Sequence, residues 1–302
     1  MKDYAPIIII CYKRPKHLIK LIESLLTNDE SKETEVFFYI DKYSDSNDKL
    51  KNDEVEKICN KNWKFKKTHV IKNSENKGLK KHILESITEV SKLNSKFIVL
   101  EDDIVVSNKF LEYMNFSLEY YKGSKVFHIN GFNFANKLNN PRKIYPNLLI
   151  APWGWATWSI KWKNFIESDN FDSDLISDAT FNKKITFNFF GMANFKTQIE
   201  DNITNKINTW AVFWHQHIVM NDGFMVSPGS SHTQNIGFDG SGENSGSVNV
   251  FETSLNSHSS NIPTKLITML NRNFIVALNW HFKKVIKNRY NYHIASRLNR
   301  LS

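Results

Sequence analysis

The sequence has few cysteines, no long apolar run and none of the glycine-rich motifs that bind phosphates. Only two cysteines occur in 302 residues, Cys11 and Cys59, which indicates free thiols and not a disulfide scaffold. No apolar run reaches the roughly 18 residues that span a bilayer. The isoleucines at residues 7–10 form too short a run for the core of a signal peptide, and they predict a first strand. Neither Gly-x-Gly-x-x-Gly nor a Walker motif is present, so the main evidence for a dinucleotide-binding or P-loop protein is missing.

Acidic residues end at Glu252, and eight lysines and arginines follow it. The net charge of +9 therefore comes almost entirely from the C-terminal tail, which also carries aromatic residues such as Phe274, Trp280 and Phe282. We predict a basic amphipathic helix over residues 263–302, suited either to an anionic membrane surface or to packing on the domain. Nucleic acid is not an expected partner, because no recognition motif accompanies the charge.

The first 130 residues alternate predicted strands and helices. Strands are predicted at residues 7–11, 36–40, 69–71, 97–100 and 126–129, and helices at residues 15–26, 48–60, 78–93 and 109–121. This order implies a mostly parallel sheet with helices on both faces. The second half differs: a tryptophan-rich segment at residues 153–158 precedes helical stretches around 174–190 and 193–221. A glycine-rich stretch at residues 223–246 is predicted as a mobile loop, whose inner part favours a closing lid.

Three adjacent acids, Glu101, Asp102 and Asp103, follow the predicted strand at residues 97–100. Three carboxylates at the end of a buried strand repel one another and are costly to desolvate, so we expect a positive ligand there. Ligands of open α/β sheets bind at the carboxyl ends of the strands. Mg²⁺ or Mn²⁺ fits, because one or two protein carboxylates often hold such an ion together with substrate phosphates. A solvated acidic turn is the alternative.

Five segments in a fixed order resemble the nucleotide-sugar-dependent glycosyltransferases of the GT-A fold. They are residues 7–18, 76–79, 99–103, 151–158 and 235–242. The set looks closest to bacterial family 2-like transferases of surface-polysaccharide clusters, and it shares features with the animal N-acetylglucosaminyltransferase I group. The resemblance implies a Rossmann-like α/β domain over residues 1–262. Its nucleotide-binding half would be residues 1–130, and its helical, aromatic acceptor-side half would be residues 131–262.

The resemblance also implies roles for individual residues. Asp103 would bind Mn²⁺ or Mg²⁺, with Glu101 and Asp102 near the ribose or the water shell of the metal. Arg14 would lie near the nucleotide or its phosphates, and Asp41 would accept a hydrogen bond from the base. The other implied nucleotide-sugar contacts are Asn76, Gly78, Lys81, His82, Trp153 and Trp155.

The catalytic base is the point at which the sequence departs from the pattern. In the animal relatives an aspartate precedes a tryptophan, whereas this chain has Asn208 and Thr209 before Trp210. The base of an inverting mechanism would then come from elsewhere. Asp239, in the glycine-rich stretch, and Asp222 are the predicted candidates. Other nearby groups are Glu200, Asp201, His215, His217 and His232.

We therefore expect a hexosyltransferase that moves a sugar from a UDP-sugar to a glycan or lipid-linked acceptor in bacterial surface polysaccharide synthesis. The expected location is the cytoplasm, with peripheral association at the inner face of the membrane through the tail. Two alternatives stay open. One is a nucleotidyltransferase on the same fold, and the other is a non-catalytic glycan- or membrane-binding protein that has lost its base.

Overall fold

The computed structural model describes residues 3–134, 140–168, 174–239 and 251–264. Within these ranges the helices are α1 (Pro15–Leu26), α2 (Lys49–Cys59), α3 (Gly78–Ser91), α4 (Phe110–Tyr120), α5 (Ser159–Glu167), α6 (Asp174–Ser177), α7 (Phe181–Phe187), α8 (Phe195–Ile203) and α9 (Ala211–Met220). The strands are β1 (Ile7–Cys11), β2 (Glu35–Ile40), β3 (Lys67–Lys72), β4 (Lys96–Glu101), β5 (Ile104–Val106), β6 (Val126–Asn130), β7 (Lys143–Asn147), β8 (Trp155–Trp158), β9 (Phe224–Pro228), β10 (Thr233–Asn235) and β11 (Ile262–Pro263).

Nine of these strands form one sheet in the order β11-β7-β9-β6-β8-β4-β1-β2-β3. Strands β4, β1, β2 and β3 are parallel neighbours. Strand β8 runs antiparallel between β4 and β6, and β7 runs antiparallel to β9. The predicted α/β class, a mostly parallel sheet flanked by helices, is therefore confirmed. The sheet contains strands from both sides of residue 130, and the division of the chain at that residue stays a prediction.

The side chains of β1 alternate between two hydrophobic cores, one on each face of the sheet. Ile7, Ile9 and Cys11 belong to a core that also contains buried side chains of α1, α2 and α4. Ile8 and Ile10 belong to a second core, which α3, α5 and α9 cover. A strand that is covered on both faces needs an apolar residue at every position, which explains the run of isoleucines. Each fully buried isoleucine contributes about 1.5–3 kcal/mol to folding.

The second half of the chain contains more strand than the sequence predicts. Residues 223–246 were expected to form a loop, but they contain β9 and β10. The described glycines of this stretch, Gly223, Gly229 and Gly237, lie outside those two strands. The predicted helical stretch at 174–190 is divided into α6 and α7. The backbone leaves helical geometry at Phe189 and Phe190, where φ is +49° and +58°. The stretch at 193–221 is likewise divided into α8 and α9.

The predicted basic tail lies outside the described residues from residue 265 onward, so its helix stays a prediction. In the part of the chain that the structure describes, no helix is both long and apolar enough to cross a membrane. Cys11 and Cys59 are buried free cysteines, as the sequence predicts.

Candidate active site

The carboxyl ends of β1, β2, β3 and β4 meet at one edge of the sheet, because these strands are parallel. Arg14 lies in the turn after β1, Asp41 directly follows β2, and Asn73 directly follows β3. Glu101 is the last residue of β4. Strand β8 runs in the opposite direction, so its first residues and the preceding Trp153 lie at the same edge. We call this edge the candidate site.

Asp102 and Asp103 form the turn between β4 and β5, and each is only 6% exposed. The backbone N–H of Tyr12 donates a hydrogen bond to Asp102 Oδ2 at 3.2 Å. Arg14 Nη1 donates to Asp103 Oδ2 and lies 3.9 Å from Asp102 Oδ1. Asp103 Oδ1 is buried and has no hydrogen-bond partner among the described residues. Arg14 therefore lies beside the acidic triplet, and its contact with a nucleotide stays a prediction.

The charges of this site are not balanced. Burial, reinforced by the neighbouring carboxylates, raises the pKa of Glu101 to about 8 and the pKa of Asp102 to about 7, against the opposing effect of Arg14. Arg14 is the cation paired with Asp102 and Asp103. Among the described residues, one guanidinium therefore faces three carboxyl groups, and a further positive charge would stabilise their ionised forms.

The carboxylates of the acidic triplet fit a divalent cation whose coordination is completed by oxygens of a substrate. Among the described residues, no group of three or more His, Cys, Asp or Glu side chains is arranged to hold a metal. Asp103 Oδ1 is buried and has no partner within the described part of the chain, so it is the oxygen best suited to a ligand role, and Asp102 lies beside it. Mg²⁺ and Mn²⁺ prefer oxygen ligands, and Mg²⁺ is commonly bound by one or two carboxylates plus substrate phosphates. The donor set is consistent with a site that forms together with a bound diphosphate.

Asp41 holds the turn that leads into α3. Its carboxylate accepts hydrogen bonds from the backbone N–H of Lys42 at 3.1 Å, of Lys77 at 3.0 Å and of Gly78 at 3.0 Å. It also accepts one from Asn73 Nδ2 at 2.8 Å. A carboxylate has about four acceptor positions, so these four donors match its usual capacity. Asp41 therefore caps the start of α3, and its contact with a base stays a prediction.

His82, one of the implied nucleotide-sugar contacts, is a buried structural residue. Its Nε2 lies 3.2 Å from the carbonyl oxygen of Tyr39, and its Nδ1 lies 2.9 Å from Asn73 Nδ2. A carbonyl oxygen can only accept, so Nε2 carries the proton and Nδ1 accepts from the Asn73 amide. Burial lowers the pKa of His82. The imidazole therefore links Asn73 to β2 instead of facing a ligand.

Three other nucleotide-side candidates surround the start of α3. Asn76 donates a hydrogen bond to the carbonyl oxygen of Lys42. Lys81 has a largely exposed side chain, 3.9 Å from Glu85. Gly78 has a φ of +70°, which only glycine adopts without strain, and a Cβ there would lie 3.3 Å from Asn208 Nδ2. Asn208, the position without the expected carboxylate, thus borders the same side of the site.

Trp155 lies in the core, contrary to its predicted contact with sugar. Its side chain is fully buried, and its ring stacks on His128 and Trp210 at centroid distances of 4.8 Å and 5.3 Å. Trp153 is only partly buried and lies at the site edge. Its ring contacts four phenylalanines, at centroid distances from 4.8 to 5.8 Å: Phe132, Phe134, Phe238 and Phe251. We call these five rings the aromatic cluster.

Residues 233–239, here called the covering segment, lie on the acidic triplet. Strand β10 pairs with β5, and the backbone N–H of Ile236 donates to the carbonyl oxygen of Asp103 at 2.8 Å. A Cβ at Gly237 would overlap Asp103 Oδ2 and lie 2.9 Å from Arg14 Nη1. Phe238 packs against Trp153, and Asp239 Oδ2 lies 3.1 Å from His17 Nε2 of α1. The segment thus joins the triplet, α1 and the aromatic cluster.

Asp222, the second predicted base, lies at the opposite edge of the sheet. It directly precedes Gly223 and β9, and β9 is parallel to β6. Strands β4 and β6 are both antiparallel to β8, so β4, β6 and β9 share one direction. The amino end of β9 is therefore far from the carboxyl end of β4. Asp222 is exposed and pairs with Lys183 at 3.2 Å, which excludes it from the candidate site.

The predicted histidine candidates are buried. Burial lowers the pKa of His215 and of His217 to about 4, and the pKa of His232 to about 3. His232 lies between Ser107 Oγ, at 2.7 Å, and Ser260 Oγ, at 2.9 Å. All three side chains are at most 3% exposed and lie in the core, so none is placed to take a proton from an acceptor at the surface.

Three residues of the site are absent from the sequence prediction. Asn73 bridges Asp41 and His82, and its position directly after β3 is the signal that could have identified it. Asn52, on α2, donates to the carbonyl oxygens of Tyr12 at 2.7 Å and Asp41 at 2.8 Å, which ties the ends of β1 and β2 together. His17 is the third, and no local sequence pattern indicates its contact with Asp239.

No protein-family model matches the chain, and no curated protein matches it. Several solved structures are similar to it over part of its length. A cytidylyltransferase from Leptospira borgpetersenii is 11% identical, with 55% of this chain and 65% of that chain covered and a TM-score of 0.35. S. aureus TarS in complex with UDP is 15% identical, with 63% and 54% covered and a TM-score of 0.37. The mannosyltransferase PcManGT from Pyrobaculum calidifontis, in complex with GDP-Man and Mn²⁺, is 8% identical, with 72% and 69% covered and a TM-score of 0.40.

The chain thus spans less than two thirds of the length of the cytidylyltransferase and of the TarS structure. At these identities and TM-scores, the function of the site has to be argued from its own geometry.

Proposed function

We propose that the protein is a GT-A-type glycosyltransferase that transfers a sugar from a nucleotide sugar with the help of a divalent cation. The observation that carries this proposal is the buried acidic turn, in which Asp103 Oδ1 has no partner among the residues that the structure describes and Arg14 is the neighbouring cation. A nucleoside diphosphate with its metal supplies what this turn lacks, namely positive charge at the carboxylates. It also supplies negative charge for Arg14.

The chemistry follows from where the charges develop. When the bond between the sugar and the diphosphate breaks, the sugar takes on oxocarbenium character and the diphosphate gains negative charge. A divalent cation on Asp103 and Asp102 would stabilise that leaving group as a Lewis acid. Arg14 suits the same diphosphate, since a guanidinium binds phosphate oxygens in a bidentate manner. We assign the end of β2 and the start of α3 to the nucleoside.

The acceptor would bind on the other side of the triplet, beside the covering segment and Trp153. Trp153 presents a partly exposed aromatic face, and such faces combine apolar surface with a polar edge. We propose a UDP-sugar as donor and a glycan or lipid-linked acceptor in surface polysaccharide synthesis. Residues 263–302 would bring the enzyme to an anionic membrane surface.

The first test is a binding panel with UDP, GDP and CMP and their sugars, each with and without Mn²⁺. We expect the uridine nucleotides to raise the melting temperature in the presence of Mn²⁺, because a ligand that binds only the folded state stabilises it. We also expect slow, Mn²⁺-dependent hydrolysis of a UDP-sugar, measured by release of UDP. Binding of no nucleotide would refute the proposal. Release of pyrophosphate from a nucleoside triphosphate would favour the nucleotidyltransferase. Binding of a glycan without donor turnover would favour the non-catalytic protein.

Asp239 is the proposed base for the acceptor hydroxyl. Its carboxylate is 49% exposed, and adjacent residues of its segment contact both Asp103 and Trp153. Asp239→Asn should reduce transfer to an acceptor by about 10²–10⁴-fold, the usual contribution of a general base, and leave the affinity for UDP unchanged. Asp222→Asn is the matched control, an exposed acid at the opposite edge whose loss should change neither quantity. Equal transfer rates for the two variants would remove Asp239 from the mechanism.

A further inference from the structure

We propose that Arg14 occupies the cation position at Asp103 until a nucleoside diphosphate draws it away, so that the metal binds tightly only together with the nucleotide. This inference rests on the proposed function and concerns the same site. Arg14 then has two alternative partners, Asp103 in the absence of nucleotide and the diphosphate in its presence.

The first support is the position of the guanidinium. Arg14 Nη1 donates to Asp103 Oδ2, lies 3.9 Å from Asp102 Oδ1 and belongs to a side chain that is only 16% exposed. A metal ion bound to the carboxylate of Asp103 would lie within a few ångströms of this guanidinium. Two cations at that distance repel strongly where water is scarce. Arg14 and a divalent cation therefore compete for Asp103.

The second support is the covering segment, which packs against the ion pair of Arg14 and Asp103. The overlap that a Cβ at Gly237 would make with Asp103 Oδ2 means that the backbone of this residue rests directly on the pair. The hydrogen bond from Ile236 N–H to the Asp103 carbonyl, at 2.8 Å, keeps it there. The contacts of Phe238 with Trp153 and of Asp239 with His17 fix the same segment on its far side.

The third support is that the backbone of Arg14 is held in place, so its side chain can change partner while its backbone stays fixed. The carbonyl oxygen of Arg14 accepts a hydrogen bond from the backbone N–H of Leu18 at 3.0 Å, so its backbone is fixed at the start of α1. A diphosphate offers the guanidinium a bidentate partner of higher charge than one carboxylate. The same diphosphate also supplies oxygens to the metal. Nucleotide and metal therefore increase each other's affinity, and this coupling is reciprocal by thermodynamic linkage.

The experiment measures Mn²⁺ binding to the full chain without nucleotide, by electron paramagnetic resonance of the free ion. The wild-type protein should bind Mn²⁺ weakly. Arg14→Gln should bind it at least about tenfold more tightly, because a unit charge next to the metal has been removed. Arg14→Lys should stay near the wild type. Lys13→Gln is the matched control: it removes a positive charge from the same turn, where Lys13 pairs with Asp48 at 2.5 Å. In Arg14→Gln/Asp103→Asn, the gain should disappear.

Addition of UDP completes the experiment. In the wild type, UDP should tighten Mn²⁺ binding at least about tenfold. In Arg14→Gln this increase should shrink, because the competition between Arg14 and the metal, which UDP relieves in the wild type, is already gone. Equal Mn²⁺ affinity of the wild type and Arg14→Gln would overturn the inference, even where UDP binds and the proposed function stands. Failure of the wild type to bind UDP with Mn²⁺ would refute the proposed function instead. Circular dichroism checks folding, and Arg14→Met, which keeps the apolar stem, replaces Arg14→Gln if that variant unfolds.

Discussion

Asp103→Asn is expected to reduce Mn²⁺-dependent turnover of the nucleotide-sugar donor by at least about 10²–10³-fold, the loss typical of removing one group that stabilises developing charge. Asparagine keeps the shape of the side chain but removes the charge that a divalent cation needs. On the proposed function, the buried Oδ1 of Asp103, which has no partner among the described residues, is the metal ligand, and the substitution replaces a charged carboxylate with a neutral amide. The measurement is kcat/KM for donor hydrolysis as a function of Mn²⁺ concentration, together with UDP affinity with and without the metal.

The matched control for this variant is Asp53→Asn. Asp53 is an aspartate on α2 that pairs with Lys49 at 2.5 Å, outside the candidate site. Its replacement should leave kcat/KM and the dependence on Mn²⁺ unchanged. Wild-type turnover in Asp103→Asn would show that the metal, if one is used, binds elsewhere, and the assignment of the acidic triplet would then be wrong.

Asp102→Asn is expected to stabilise the protein at alkaline pH although it damages the site. Burial and the neighbouring Asp103 raise the pKa of Asp102 to about 7. In the unfolded chain an aspartate has a pKa near 3.9. The folded state therefore binds the proton more tightly, and the stability that this gives is complete below about pH 4 and is lost as the pH rises through about 7. A shift of about three pKa units corresponds to about 4 kcal/mol of folding stability. This is a net value, because the pKa of about 7 already includes the opposing effect of Arg14.

Asparagine removes this ionisation and can still accept the hydrogen bond from the Tyr12 N–H. At pH 8 the free energy of unfolding should therefore rise by about 2–4 kcal/mol over the wild type, and at pH 4 the two proteins should be nearly equal. Urea unfolding at several pH values measures this difference. Comparing the variant with the wild type at each pH cancels the acid sensitivity from the buried histidines, which both proteins share.

Asp53→Asn again provides the control, with an effect of opposite sign. A hydrogen bond from Lys49 lowers the pKa of the Asp53 carboxyl, so its ionised form is the favoured one in the folded state. Its loss should slightly destabilise the protein at pH 8. If Asp102→Asn also destabilised the protein at pH 8, the carboxylate would have a stabilising partner, and the charge imbalance of the site would not exist.

The sequence predicts the first 130 residues well because their patterns are strong and local. Helix α1 begins at Pro15 and ends at Leu26, as its apolar spacing indicates. The isoleucine run, buried on both faces, could be identified as a strand from composition alone. Strand β8 was missed for a physical reason. It lies in the middle of the sheet with both faces covered, so it has no alternation, and its two tryptophans look the same as residues of a ligand platform.

In the candidate site, the sequence predicts which residues cluster but not how they are paired. Asp102, Asp103 and Arg14 lie at the ends of adjacent strands, and that placement follows from the parallel order. The contact of Gly237 with Asp103 depends on the pairing of β10 with β5, more than a hundred residues away in the chain. No local pattern encodes such a pairing. The same holds for His82, whose position in a helix does not reveal that it faces inward.

The position of β8 between β4 and β6 limits where the chain could be divided to build a chimera with another protein. Residues from after position 150 supply the hydrogen-bonding neighbour of β4, the strand that carries the acidic turn. A chain cut at residue 130 would leave β4 with an open edge, which invites pairing with other molecules. On the proposed function, donor and acceptor preferences therefore could not be exchanged as separate modules at that position. A working chimera would have to transfer β4 and β8 together.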